Sequence, residues 1–274
     1  MKKVMYGGLF LLTMGVAMYG CKKEMQPGNH NQTENTQEER LFIENLTSEL
    51  KSAKQQFVAT KAKSVDPTFS TNPFDAVGVE HNIQLAAIHN HPDFVKDAET
   101  TLQIFNSNHR ASTGKPIITD MEAALSSTTD FISAVISNGE LNYNWINGLA
   151  IPFLEKQTLI VYFQTMYSTD NIELRVALSK VIEVSVKNSW LFNSASKERL
   201  LTSFSIFRHS TVYWSDFDGY AGLSPFSEAV DALVAEWCMD GTIPSPSGYD
   251  VSCPGVANQV GSAVSAVFDV LFRF

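Results

Sequence analysis

Asp170-Asn171-Ile172-Glu173-Leu174-Arg175-Val176-Ala177-Leu178-Ser179-Lys180-Val181-Ile182-Glu183-Val184-Ser185-Val186-Lys187-Asn188 is the stretch on which the fold class turns. Leu174, Leu178, Val181 and Ser185 recur at helical spacing and line one face, which must be buried against another element. Asp170 followed by Glu173 puts an acceptor at the cap and a carboxylate in the first turn, where it offsets the positive helix end. Glu183 and Lys187 make an (i, i+4) pair expected on the outward face. The pattern predicts a helix over Ile172 to Asn188.

Working outward, the same period recurs. Phe42, Leu46, Leu50, Ala53 and Phe57 predict an amphipathic helix from Arg40 to near Ser64, before Asp66-Pro67. Asn72-Pro73 offers a cap and a first helical residue, after which Phe74, Val77, His81, Leu85 and Ile88 share a face. Further helices are predicted at Phe94 to Asn106, Thr119 to Ser137, Ile151 to Tyr167, Ser196 to Trp214, Ser224 to Met239 and Pro254 to Phe272. The last segment also alternates (Val264, Ala266, Phe268, Val270, Phe272, Phe274), like the closing strand of an outer-membrane barrel, but a barrel needs many such strands. Read as a helix, it sets Ala257, Gly261 and Ser265 at four-residue spacing, open to a close neighbour. No strand pair and no fixed-period repeat are read. The expected architecture is all-α, an irregular bundle of about eight or nine helices forming one domain over residues 40–274.

Composition sets the outer bounds. The 274 residues are 44% apolar and 18% charged, which supplies a core and excludes collagen-like, wholly disordered and coiled-coil classes. Met1-Lys2-Lys3 followed by the apolar Val4 to Tyr19 has the form of an export signal, shorter than the roughly 20 apolar residues of a spanning helix. It stops at Gly20-Cys21, before Lys22-Lys23-Glu24. Gly20-Cys21 resembles the processing site of bacterial lipoproteins cleaved by signal peptidase II, with Met18 in place of the usual Leu and Tyr19 in place of a small residue.

That resemblance implies that residues 1–20 are removed, that Cys21 becomes a fatty-acylated first residue, and that the domain is anchored to a membrane through lipid. Lys22, rather than Asp, beside the anchor implies sorting to the outer membrane. Each buried methylene contributes about 0.8 kcal/mol, so a multiply acylated Cys21 would hold its membrane firmly. Residues 21–39 are polar, contain Pro27-Gly28, and read as a disordered tether with a reach of about 20 to 25 Å. Loss of Lys2 and Lys3 takes the 20 basic residues to 18 against 29 acidic ones, a formal charge of −11. Nucleic acid is excluded as a partner on that charge. Cys238 and Cys253 remain as an even pair in an oxidising compartment and are expected to form a disulfide across the turn Gly241 to Pro246.

Several residue groups could carry chemistry. His81, His89 and His91 with Asp93, near Glu80 and His109, are the ligand types of a catalytic zinc, although two histidines eight apart do not follow the (i, i+4) spacing of helical metal motifs. Ser194-Ala195-Ser196-Lys197 has the Ser-x-x-Lys spacing of penicillin-binding enzymes, but Ser70-Thr71-Asn72 precedes it and no Lys-Thr-Gly follows. Ser194 or Ser196 therefore reads as a helix cap. Asp216-Phe217-Asp218-Gly219 resembles the start of a calcium loop whose bidentate acid would fall at Ser227, so it reads as an acidic turn. Tyr213-Trp214, beside Asp216 and Phe217, reads first as core and second as a binding surface.

Asn72-Pro73-Phe74-Asp75-Ala76-Val77-Gly78-Val79-Glu80-His81-Asn82 resembles an Asn-Pro-[Phe/Tyr]-Asp-x-[Val/Ile]-Gly-x-x-His-Asn signature of exported bacterial proteins without an assigned function, and Ser210 to Trp214 is similar to a second block in them. The resemblance singles out Asp75, His81 and Asn82 as a polar site on one helix. These groups could serve a ligand, or could fix the preceding loop to the bundle by hydrogen bonds. The resulting expectation is an outer-membrane lipoprotein with a binding or structural role in the envelope, without catalysis or a cofactor, and with an envelope protein or glycan as partner. The competing class is a metal-dependent hydrolase holding zinc through His81, His89, His91 and Asp93, with a carboxylate as base.

Overall fold

The computed structural model describes residues 36–58, 65–94, 98–113, 136–137, 140–149 and 151–215. Expectations placed on Cys21, on Cys238 and Cys253, on the Asp216 turn and on the two C-terminal helices lie outside the described residues. Within them the chain is all-α. In order come α1 (Gln37–Gln56), α2 (Asp75–His89), α3 (Ala98–Thr113), β1 (Ile136–Ser137), β2 (Glu140–Leu141), α4 (Tyr143–Gly148), α5 (Phe153–Tyr167), α6 (Ile172–Asn188) and α7 (Ser194–Ser215). The two short strands pair antiparallel, Ile136 opposite Leu141 and Ser137 opposite Glu140. Ile136 and Ser137 were expected at the end of a helix, and neither that pair nor α4 was read from the pattern.

α1 begins before Arg40 because Thr36 and Glu39 close a reciprocal capping box, Glu39 N–H donating to Thr36 Oγ1 at 3.2 Å and Thr36 N–H to Glu39 Oε2 at 2.9 Å. It ends at Gln56, ahead of the expected Ser64, because Phe57 turns to extended backbone with ψ 127°. α2 starts at Asp75, not at Pro73. Asn72 does not cap it in the expected way, since its Oδ1 accepts from Phe74 N–H while its amide reaches into the core. α3 starts later than Phe94, because Phe94 closes a turn onto the His91 carbonyl and sets its ring edge-on against His89. α6 has the predicted bounds, but Asn171 caps it in place of Asp170, accepting from Leu174 N–H at 2.8 Å. At α7 the cap is Asn193, whose Oδ1 accepts from Ser196 N–H at 2.8 Å, so neither Ser194 nor Ser196 serves.

α7 is the central element. Every residue from Leu200 to Val212 is buried, with α2, α5 and α6 packed around it. A helix covered on all sides has no outward polar stripe, so its polar side chains turn to partners inside, and among the described residues only Ser203 Oγ and Arg208 Nη1 of its buried side-chain atoms are left without a hydrogen bond. Tyr162 of α5 stacks on Phe204 at 3.9 Å between ring centroids, with Phe207 edge-on. α1 lies across α5 and α6, seated by Leu46 and Leu50 and by Phe42, which meets Phe192 edge-on.

α2 approaches α7 closely at Gly78. A methyl group there would sit 2.5 Å from His209 Cδ2, 2.5 Å from Ser205 Oγ and 2.6 Å from the Ser205 carbonyl oxygen. One of these atoms is backbone, so the helices themselves must separate to admit it. Gly78→Ala is expected to destabilise the domain by about 2 to 3 kcal/mol in urea unfolding, through overpacking. Gly148→Ala is the control: nothing lies within 4 Å of a methyl group there, and the midpoint should hardly move.

Candidate functional site

The polar residues of α2 converge with others on one buried constellation between α2, α6 and α7. Its centre is Arg208, completely buried, whose Nε and Nη2 grip Glu183 Oε1 and Oε2 at 2.9 and 3.0 Å. The same Nη2 meets Asp75 Oδ1 at 2.7 Å. The ring of Phe69 covers the guanidinium, 5.6 Å from its carbon. Glu183 is also buried and takes two further donors, Asn72 Nδ2 at 2.7 Å and Ser179 Oγ at 2.8 Å. An ionised carboxylate has about four acceptor positions, and these four bonds occupy them. Because Ser179 spends its proton on Glu183, the Tyr162 hydroxyl, 3.0 Å away, donates to Ser179. Burial first, and the Glu183 charge second, push the Tyr162 phenol well above its ordinary range, so it stays a donor.

Asp75 forms the outer end of the constellation. Its Oδ2 accepts from Phe69 N–H at 2.8 Å, and its Oδ1 from His209 Nε2 at 3.0 Å as well as from Arg208. A carboxylate only accepts, so His209 carries its proton on Nε2. Burial alone would raise the Asp75 carboxyl, but His209, the Phe69 amide and Arg208 outweigh it and hold the group well below the usual carboxylate range. The Phe69 bond ties the preceding loop to the bundle, the second of the two roles read for this signature.

The other signature residues do similar work. Asn82 Nδ2 donates to the His209 carbonyl at 2.8 Å, and its Oδ1 lies 3.2 Å from Nδ1 of the buried His81. Asn72, besides Glu183, donates to the Leu201 carbonyl at 2.8 Å. Thus Asn72, Asp75, Gly78 and Asn82 each meet α6 or α7. The second similar block follows directly on Arg208 and His209 in α7.

The histidine set of the competing zinc reading is not brought together among the described residues. Two positions eight apart on a helix are separated by about 12 Å along its axis. His89 instead lies against Tyr213, with Nδ1 2.6 Å from its hydroxyl, between the edges of Phe94 and Trp214. Beyond the helix end, His91 Nδ1 accepts from Asp93 N–H at 3.2 Å. Among the described residues no three His, Cys, Asp or Glu side chains are grouped to hold a metal ion. Lys197 of the Ser-x-x-Lys pattern reaches the Lys187 carbonyl at 2.8 Å, and the neighbouring Ser196 donates to Glu155.

Sequence reasoning set Glu183 outside with Lys187, yet only Lys187 is exposed. It also passed over Arg208 and His209. A signal existed in the adjacency of Arg208-His209 to the Ser210 block, since a basic pair beside a buried-looking apolar run calls for acidic partners. Comparison with protein-family models, curated proteins and solved structures gives no match.

Breaking one member of a buried pair leaves the other charge without its counter-ion. Glu183→Gln is expected to cost about 3 to 5 kcal/mol in urea unfolding at neutral pH, and the exposed Glu44→Gln less than about 0.5 kcal/mol. Asp75 has its folded-state carboxyl below the unfolded value, so it contributes stability above pH of about 4 that is lost as pH falls toward the folded value. Unfolding midpoints between about pH 5 and pH 3 should therefore fall more steeply in the wild type than in Asp75→Asn. Parallel acid limbs would remove Asp75 as a source of that loss.

Proposed function

We propose that this chain is an outer-membrane lipoprotein, anchored through an acylated Cys21, whose helical domain binds a partner in the envelope and performs no catalysis. The observation that carries the binding half is an exposed aromatic on a firm support. Trp190 is 75% exposed, in the short connection between α6 and α7, beside a groove of about 540 Å³ formed by α1 and the end of α6. A large aromatic left in solvent contributes little to the core, and tryptophan is among the side chains that anchor interfaces most strongly.

The non-catalytic half is supported by how the reactive groups are spent. Asp75, Glu183, Arg208 and His209 are bonded to one another, and Glu183 and Arg208 are sealed from solvent. A general acid or base must reach its substrate's proton directly or through one water, which such groups do not do without unfolding their surroundings. The acidic balance of the chain favours a protein or glycan partner over nucleic acid.

Mass spectrometry of the native polypeptide is expected to find residues 1–20 removed and acyl chains on Cys21, with the protein in the outer-membrane fraction. Cys21→Ser should carry no acyl chain and should fail to reach the outer-membrane fraction. An unmodified thiol at Cys21 would overturn the anchor. A hydrolytic activity abolished by Asp75→Asn or His209→Gln, in variants that keep the wild-type helical spectrum, would overturn the non-catalytic half.

A further inference from the structure

The groove beside Trp190 has a charge pattern that narrows its occupant. On α1 its wall is one continuous stripe, Glu38, Leu41, Phe42, Asn45, Leu46 and Glu49, spaced i, i+3, i+4, i+7, i+8 and i+11. The two carboxylates close the ends of the stripe, about 16 Å apart at the helical rise, and the apolar side chains lie between them. The opposite wall is Val184, Ser185 and Asn188 of α6, then Ser189, Trp190 and Leu191. Ser185 Oγ donates to Glu49 Oε2 at 2.9 Å, which fixes that carboxylate at the groove. No lysine, arginine or histidine is among the described residues that line it.

We propose that this groove docks a cationic amphipathic peptide segment of a partner protein, its apolar side chains on Leu41, Leu191 and Trp190 and its basic side chains at Glu38 and Glu49. The inference rests on the binding reading above and gives the partner its chemistry. An amphipathic helix laid in a hydrophobic groove is an established mode of recognition, and a length of about three turns spans the two carboxylates. Other occupants fit less well. A second copy meeting this face symmetrically would set Glu38 and Glu49 against the same residues, and an anionic lipid surface would be repelled by them. A neutral sugar could stack on Trp190 and bond to Asn45, Asn188 or Ser189, but it would bring no counter-ion to Glu38 and Glu49.

The test uses the mature, acylated protein in detergent and a labelled Leu/Lys amphipathic peptide of about 14 residues, followed by fluorescence anisotropy. Binding is expected with a dissociation constant on the order of 10 µM. It should weaken about tenfold or more in Trp190→Ala and in the double variant Glu38→Gln, Glu49→Gln. The exposed Glu99→Gln on α3 should leave it unchanged, and a Leu/Glu peptide of the same length should not bind. Trp190→Ala should unfold at the wild-type midpoint, separating docking from folding. Equal binding by the groove variants and the wild type, or equal binding of the acidic peptide, would overturn the proposal. So would quenching of tryptophan fluorescence by neutral oligosaccharides that is lost in Trp190→Ala, which assigns the groove to glycans while leaving the broader binding reading intact. The state of Cys21 is read separately and does not depend on any of these outcomes.

Discussion

The guanidinium of Arg208 joins three helices at one point, and most of the structure is arranged so that it can. It sits on α7, reaches Glu183 of α6 through two parallel bonds, and meets Asp75 at the start of α2. Removing such charges from water costs several kcal/mol per ion, and their attraction offsets this only when the geometry is good and the remaining acceptor positions are filled. Here Asn72 and Ser179 complete Glu183, while His209 and the Phe69 amide complete Asp75. Replacing the whole group by well-packed apolar side chains need not weaken the fold. What the constellation contributes is register, because a helix shifted by one residue would leave a buried charge without its counter-ion.

Register and close approach depend on each other. The Asp75 carboxylate reaches Arg208 and His209 only if α2 lies against α7, and Gly78, one turn further on, permits that approach. Asn82 then meets the His209 carbonyl at the next turn. The spacing 75, 78, 82 is therefore one face of α2 pressed against α7. The polar signature is a docking strip in which each residue type has a steric or hydrogen-bonding reason.

This explains what could be read from the sequence and what could not. α6 was legible to the residue because its apolar positions repeat at the helical period and cap-type residues precede them, even though the cap is Asn171 and not Asp170. α7 was legible as a helix, but its role was not. It is covered on all sides, so Ser203, Ser205, Arg208 and His209, to which the helical pattern alone assigned no role, are buried. Glu183 was misplaced for the same reason: a carboxylate four residues before a lysine reads as a surface pair unless a buried arginine on another helix is known to face it. Asp75, His81 and Asn82 were singled out as polar groups on one helix, and Asp75 and Asn82 both hydrogen-bond to α7. Their partners lie more than a hundred residues away in the chain, and no local pattern carries that pairing. The histidines of the competing metal reading are not grouped among the described residues: His81 lies beside Asn82, His89 against Tyr213, and His91 beside Asp93.

α6 also connects the interior constellation to the exterior groove. Glu183 turns inward to Arg208, while its immediate neighbours Val184 and Ser185 line the groove, with Ser185 holding Glu49 of α1. A helix fixed in rotation by a buried bidentate ion pair cannot roll without breaking it, so the outward residues of the same turn inherit that fixity. α1 is held along its length by the buried Leu46 and Leu50, and at its far end by Lys54, which donates to the Ser168 carbonyl at 2.8 Å. The groove walls are thus ordered before anything binds. Preorganisation of this kind lowers the conformational entropy lost on association. A constellation whose centre, Arg208 and Glu183, is sealed from solvent in this way keeps Glu49, Ser185 and the Trp190 connection in fixed relation to one another, as the proposed docking requires.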